Sequence, residues 1–499
     1  MRPQVQPTLA LDFRDRRAEL RDHHPIAWTV LGALVAALPA VWMWGFTVDD
    51  ALISIRYARH VDAGLGWRFN AGGPSTDGVT PLPWPIVLAP FARAGSLAVL
   101  HRAKWLGLST WTAAGAALGR GIGDTERAPA WARAASLVAV SLCVPLAAHA
   151  VSGMETAVAT LLATLAALER RPFAASCLAG WAAAFRPELA AWACAIAAGI
   201  ALAERQPVAT AIAAGVVALL PFSACAAVRV LAWGHPAPLA LMAKPSDATA
   251  GLAYAGASFV VTLLPLLVLA PIALRRCPRA LAIVFAAAVH AAAVIAVGGD
   301  WMPYARLSVP VLPSLAFAAC LASAYAHPLA TAARSSGAIA LGVVLLARGA
   351  TRGRHVGPDR EALVASARPW LEGARRVAAL DVGWVGAATE ADVVDLAGVT
   401  DPQVAALPGG HTSKRVSAMF LLERAPDVLL LYASDGVPEA GLDAWRDATY
   451  PRIVEARLAH DDVIARRFRA AAWLPLGSLR AGYILLERRS SEAQGDSPH

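Results

Sequence analysis

Asp49 and Asp50 are adjacent carboxylates placed directly after an apolar run, in the stretch FTVDDALISIRYARHVDAGLGWRFN from Phe46 to Asn70. Either can cap a helix that starts at Ala51, because Asp is a preferred N-cap and an acid suits the positive end of a helix dipole. One aspartate is enough for that. A second, beside a like charge and close to low-dielectric lipid, tends toward a raised pKa, which suits a general base acting near neutral pH. If residues 51–62 are helical, Asp49, Ile53, Arg56 and His60 share a face through their spacings of four, three and four. A carboxylate and a guanidinium then look into the same space.

Four later clusters carry charge between apolar runs: SGMET with Glu155, FRPE with Arg186 and Glu188, GHPAPLALMAKPSD with Lys244, and GGDWMPYAR with Asp300, Trp301 and Arg306. Ionisable groups at membrane depth are costly unless they face a wet cavity or one another, so one shared cavity accounts for all of them economically. Each also has a local explanation. Ser152 and Glu155 have the S-x-x-E spacing of a capping box, which explains Glu155 sufficiently. Arg186-Pro187-Glu188 is a turn whose ends can pair, and Gly298–Asp300 can be a turn before Pro303. Trp301 beside Asp300 and Arg306 is the kind of stacking-plus-charge group that sugars and phosphates favour.

A membrane-embedded transferase needs a carboxylate to deprotonate an acceptor hydroxyl and cations to hold a lipid-linked phosphate leaving group. Arg56, Arg59, Arg186, Lys244 and Arg306 are the candidate cations. There is neither a Walker P-loop nor a dinucleotide fingerprint to bind a nucleotide.

The elements that must position these groups are membrane helices. Of 499 residues, 57% are hydrophobic and only 16% charged, and mean hydropathy is +0.51, outside the usual range of a soluble globule. Apolar runs at 27–46, 98–119, 131–149, 152–168, 173–186, 188–203, 207–232, 256–274, 280–297, 305–326 and 330–347 read as eleven spans. Pro81–Arg93 reads as re-entrant or interfacial. Starting inside, eleven crossings put Arg14, Arg16, Arg17, Arg21, Arg120, Arg127, Arg133, Arg170, Arg171, Arg205, Arg275, Arg276 and Arg279 on the cytoplasmic side, as the positive-inside rule asks. The charged clusters and the C-terminal part then face outward.

The expected organisation is a cytoplasmic segment 1–26, a transmembrane domain 27–347 with first outer loop 47–80, a soluble α/β domain 348–489 and a disordered tail 490–499. Strand-like runs at 377–382, 392–398, 426–432 and 482–487 and the helical pattern SKRVSAMFLLER carry the α/β reading. Residues 352–499 hold 18 Lys+Arg against 20 Asp+Glu, leaving 26 against 16 for residues 1–351. The net charge of +8 is therefore a topology signal and not a nucleic-acid footprint. Six cysteines lie in apolar runs or one basic loop with no CxxC spacing, which implies no disulfide framework and no thiolate metal site.

VDDALISIRYARHVDAGLGWRFN followed by TDGVTPLPW resembles the first outer loop of GT-C glycosyltransferases, especially the branch with the terminal β-arabinofuranosyltransferases of mycobacterial cell walls. SGMET, FRPE, GHPAPLALMAKPS, GGDWMPYARLSVPVLP and LDVGWVGAATEADVVDLAGVTDP follow in the family's order. The resemblance covers most of the chain. It implies a polytopic α-helical membrane protein of GT-C type with a small C-terminal α/β extracytoplasmic domain, seated in the cell inner (cytoplasmic) membrane. It also implies inverting transfer of a sugar from a polyprenyl-phosphate donor to an envelope glycan, lipid or protein acceptor, with a first-loop aspartate as base. Asp49 aligns best with that base and Asp50 is the second choice. Candidate sugar or acceptor contacts are His60, Thr80, Trp84, Glu155, Glu188, Asp300, Trp301, Asp381 and Asp395. No cofactor is required; Mg2+ or Mn2+ would serve, but guanidinium and ammonium groups can neutralise the leaving phosphate. The sequence departs from the pattern at Val79, where tyrosine is expected, and at Pro83, an extra proline before Trp84. Rival readings are a lipid or glycan transporter (flippase), whose mark is broken helices duplicated in two halves, and a non-catalytic glycan-binding assembly protein.

Overall fold

Hydropathy sets the chain's architecture, and proline and glycine decide where each apolar run breaks. A computed structural model describes residues 9–244, 247–262, 270–477 and 480–489. Its first helix, Leu9–Trp42, joins the polar N-terminal segment to the first apolar run without a break, although Pro25 and Pro39 lie within it. Four helical stretches are long and apolar enough to cross a membrane: Pro25–Trp42, Val208–Trp233, Pro278–Ala296 and Pro328–Leu371. Two bent pairs raise the number to six, Pro83–Phe91 with Ser96–Gly123 (113°) and Ala130–Ser141 with Val144–Ala150 (56°).

Of the eleven spans read from hydropathy, four to six are long and apolar enough to cross among the described residues. The surplus consists of short apolar helices, Thr156–Leu168, Pro172–Phe185, Pro187–Ala203 and Val309–Ser323. At 1.5 Å per residue, 13 residues such as Thr156–Leu168 reach only about 20 Å, against about 30 Å of hydrocarbon. Part of the expected span 256–274, and the tail 490–499, lie outside the described residues. Pro83–Phe91, read as re-entrant or interfacial, is set off from Ser96–Gly123 by a bend of 113°. Val208–Trp233 exposes Val208, Ile212, Val216 and Leu220 at intervals of four, an unpartnered stripe suited to lipid.

Helices Leu9–Trp42 and Ser96–Gly123 approach closely because glycines line their seam. A Cβ on Gly32 would lie 2.1 Å from the Gly115 carbonyl, and one on Gly119 would lie 2.1 Å from that of Trp28. Small residues in this role are the usual means by which apolar helices associate.

The C-terminal part carries a five-stranded mixed sheet in the order β2-β1-β3-β5-β4, with β1 Arg376–Ala379, β2 Asp392–Asp395, β3 Val428–Ala433, β4 Phe468–Pro475 and β5 Gly482–Arg488. β1 runs parallel to β2 and β3, and β5 runs antiparallel to β3 and β4. Helix Val382–Ala388 crosses between β1 and β2 and packs on helix Asp49–Asp62. The four strand-like runs are all strands; β4, with the sequence FRAAAWLP, is the addition. The expected boundary at 348 falls inside helix Pro328–Gly353.

Candidate functional site

The loop helix Asp49–Asp62 is the centre of the site, and ten of its fourteen residues are buried. Of the expected face, Asp49 and Arg56 bond to the C-terminal domain, whereas Ile53 lines a cavity and His60 meets the loop. The Asp49 carboxylate accepts from the backbone N–H of Gly383 (2.8 Å) and Trp384 (2.9 Å) and pairs with Arg360. It thereby caps helix Val382–Ala388 from a remote part of the chain. That helix's own N-cap residue, Asp381, makes no capping bond; its carboxylate is held by Arg452 (2.7 Å) and the Tyr483 hydroxyl. Burial pushes Asp49 up to about 6, helped by Asp381 and Asp50 and opposed by Arg360.

Arg56 is 1% exposed and donates to the carbonyls of Phe69, Gly386, Thr389 and Ala391. Four such bonds make it a clip between loop and domain, and leave no guanidinium face for a phosphate. Arg59 pairs with Glu390 (2.8 Å) and donates to Ser96. His60, its ring nitrogen 2.9 Å from the Arg68 carbonyl, has its pKa lowered by burial. Arg56, Arg59 and His60 are thus engaged by the loop and the C-terminal domain, and none of them lines the two cavity lobes that Asp50 borders.

Asp50 turns the other way, with its side chain 37% exposed and Arg306 at 3.4 Å. It lies in the wall shared by two cavity lobes, whose other common lining residues are Ile53, Ala240 and Val399. The inner lobe, about 70 Å³, is lined by Thr80, Glu155, Arg186, Glu188 and Arg306. The outer lobe, about 170 Å³, is lined by Asp49, Lys244, Trp301, Asp381, His411 and Arg452. Ion pairs connect the walls. Arg186 joins Glu155 (2.9 Å) and Glu188 (2.5 Å), and Asp300 joins Arg306 (2.7 Å) and Lys244 (3.6 Å). Burial alone would raise Asp300, but Arg306, Lys244 and Arg186 outweigh it and bring it to about 2. Glu155 is fully buried and accepts from Arg186, so its part is a charge partner rather than a cap; no capping bond from its side chain is made.

Local backbone aims these groups. Gly298 and Gly299 have positive φ, and so do Tyr304 (61°) and Ala305 (49°). Two consecutive non-glycine residues in the left-handed region are uncommon. Arg306 follows them directly and lies 3.4 Å from Asp50, while the Tyr304 hydroxyl is anchored on the Gly349 carbonyl (2.7 Å). At the mouth, Trp301 is 54% exposed and its ring lies 6.0 Å from that of His411. Burial, then Lys244, lowers His411 to about 4, so it faces the outer lobe as a neutral imidazole.

Two other candidates lie outside the lobes. Trp84 is fully buried with its indole N–H on the Gly153 carbonyl (3.3 Å), so it packs the loop and offers no platform to a sugar. Asp395 is fully buried and accepts from Ala397, Gly398 and Thr400, closing the turn after β2. Thr80 and Val79 line the inner lobe, and their carbonyls are fixed by Arg229, which also pairs with Asp77 (2.7 Å). Arg229 escaped notice although a lone arginine in the run 207–232 is a signal of its own. Arg360, Arg452 and His411 had no such signal. Among the described residues, no group of three or more His, Cys, Asp or Glu is placed to hold a metal ion, and the six cysteines are free.

A family model described as "Domain of unknown function (DUF8728)" matches residues 360–486. The matched segment begins at Arg360, the partner of Asp49, and includes Asp381, Gly383, Trp384, His411 and Arg452. No curated protein and no solved structure matches the chain.

Proposed function

We propose that the chain is a membrane glycosyltransferase of GT-C type, in which Asp50 is the general base and Asp49 positions it. The reading rests on one observation: Asp50 is the partly exposed carboxylate in the wall between two lobes, with Arg186 and Arg306 lining the inner lobe and Lys244 the outer one. An acceptor hydroxyl in the outer lobe gives its proton to Asp50 as its oxygen bonds to the anomeric carbon. The bond from that carbon to the polyprenyl-phosphate oxygen breaks, and the phosphate leaves with the electron pair. Attack opposite the leaving group inverts the anomeric centre. Arg306 and Lys244 oppose the charge that develops on the phosphate, an effect magnified where water is excluded. Trp301 and His411 offer ring faces to the acceptor sugar. The cavity opens on the extracytoplasmic side of the inner membrane, and the donor's lipid tail enters laterally from the bilayer.

Full-length protein in lipid vesicles, supplied with a labelled polyprenyl-phosphate sugar and an envelope glycan fraction, should move label to the glycan and release polyprenyl phosphate. Carrier that crosses the vesicle bilayer unchanged, with no label transferred, would instead identify a flippase.

A further inference from the structure

We propose that a second cavity, at the opposite end of the helical bundle, binds the headgroup of an anionic phospholipid. This inference does not depend on the transferase reading. The cavity measures about 860 Å³ and carries Arg120, Arg127, Arg170 and Arg279 on its rim, with Asp124 and Glu126. Its floor is apolar, formed by Leu165, Leu168, Phe317 and Leu321.

Helix Ser96–Gly123 connects the two ends. Its first residue, Ser96, accepts from Arg59 of the loop helix, and Arg120 lies about 36 Å further along at 1.5 Å per residue. That distance exceeds the roughly 30 Å of a hydrocarbon core, so the arginine rim reaches the far interface.

Helix C-termini at a cavity would ordinarily repel an anion, because their free carbonyls carry partial negative charge. Here those carbonyls are occupied. Arg279 donates to Ala167 (3.1 Å), Leu168 (2.5 Å) and Glu169 (2.9 Å), and pairs with Glu204 (3.3 Å). Arg133, packed over the Trp28 ring, donates to the Gly123 carbonyl (2.9 Å). Arg127 donates to the Tyr325 hydroxyl (3.2 Å). Arg120 and Arg170 are exposed, and their side chains make no ion pair or hydrogen bond among the described residues. Among the described residues, two guanidiniums are thus unengaged above a floor that suits acyl chains. Basic pockets between helices on the cytoplasmic side are the places where anionic headgroups bind. The apolar floor selects a lipid over a free phosphate ion.

Native mass spectrometry of the detergent-purified full chain, with phosphatidylglycerol or phosphatidylcholine added, tests this. Wild type should retain phosphatidylglycerol about tenfold better than phosphatidylcholine, and excess inorganic phosphate should leave the lipid bound. The Arg120→Gln/Arg170→Gln variant, checked for an unchanged melting curve, should retain both lipids equally. Equal retention by wild type overturns the proposal without reference to any variant, and so does displacement by phosphate. An undiminished preference in the folded variant also overturns it.

Discussion

Two neighbouring aspartates have different surroundings because of what each meets from far along the chain. Asp49 meets Gly383, Trp384 and Arg360; Asp50 meets Arg306 and open space. The pair's place at the end of an apolar run was legible, as were Arg186, Lys244 and Arg306 in loops facing one side. Which oxygen points where was not, because it depends on residues more than 250 positions away. Arg360→Leu should leave the Asp49 carboxylate buried without its cation and destabilise the protein by about 3–5 kcal/mol, seen as a lower melting temperature. A pH effect follows from the burial of Glu455, which shares Arg452 with Asp381. Arg452 holds Asp381 below the ordinary carboxylate range despite burial, whereas burial pushes Glu455 up to about 8. Glu455 therefore binds a proton in the folded state between pH 4.5 and about 8 that it lacks when unfolded. Stability should fall as pH rises through that window. Glu455→Gln should flatten the decline in a series of melting temperatures, and an unaltered slope would refute the assignment.

Helix Val382–Ala388 is the element that joins site and domain, and its glycines permit the contact. A Cβ on Gly383 would lie 2.2 Å from the Asp49 carbonyl oxygen, so the two backbones meet only because none is there. Gly383→Val should force the helices apart, at a cost of about 1–3 kcal/mol, and should lower activity by releasing the support of Asp50. Normal melting and normal activity in that variant would contradict the packing argument. At this scale, alternation and apolar runs revealed β1, β2, β3 and β5, of which β2, β3 and β5 are rich in Val, Leu and Ile. β4 stayed hidden because alanine favours helix over strand and only pairing with β5 fixes FRAAAWLP as extended. Hydropathy registers apolar runs and not helix length, and several of the runs read as spans are helices of only 12 to 14 residues among the described residues.

Over the whole molecule, loop 47–80 meets the C-terminal domain near Ser96, and Arg120 lies toward the other end of the same helix. The domain and the two-lobed cavity share one end because Asp49 and Arg56 bond directly to residues 383–391. In a background lacking the native cysteines, Glu439→Cys should react with a membrane-impermeant maleimide on intact cells. Arg127→Cys should react only after lysis, and the reverse pattern would invert the proposed orientation.

The most direct measurement compares sugar transfer by Asp50→Asn and Asp49→Asn, each normalised to folded protein in vesicles. Loss of a general base lowers rate by about 10²–10⁴-fold, and that is the result expected of Asp50→Asn. Asp49→Asn should chiefly lower the melting temperature and keep transfer within about tenfold of wild type, a smaller loss than that of a base. Wild-type transfer by Asp50→Asn, with Asp49→Asn folded and inactive, would contradict the account and return the base to Asp49.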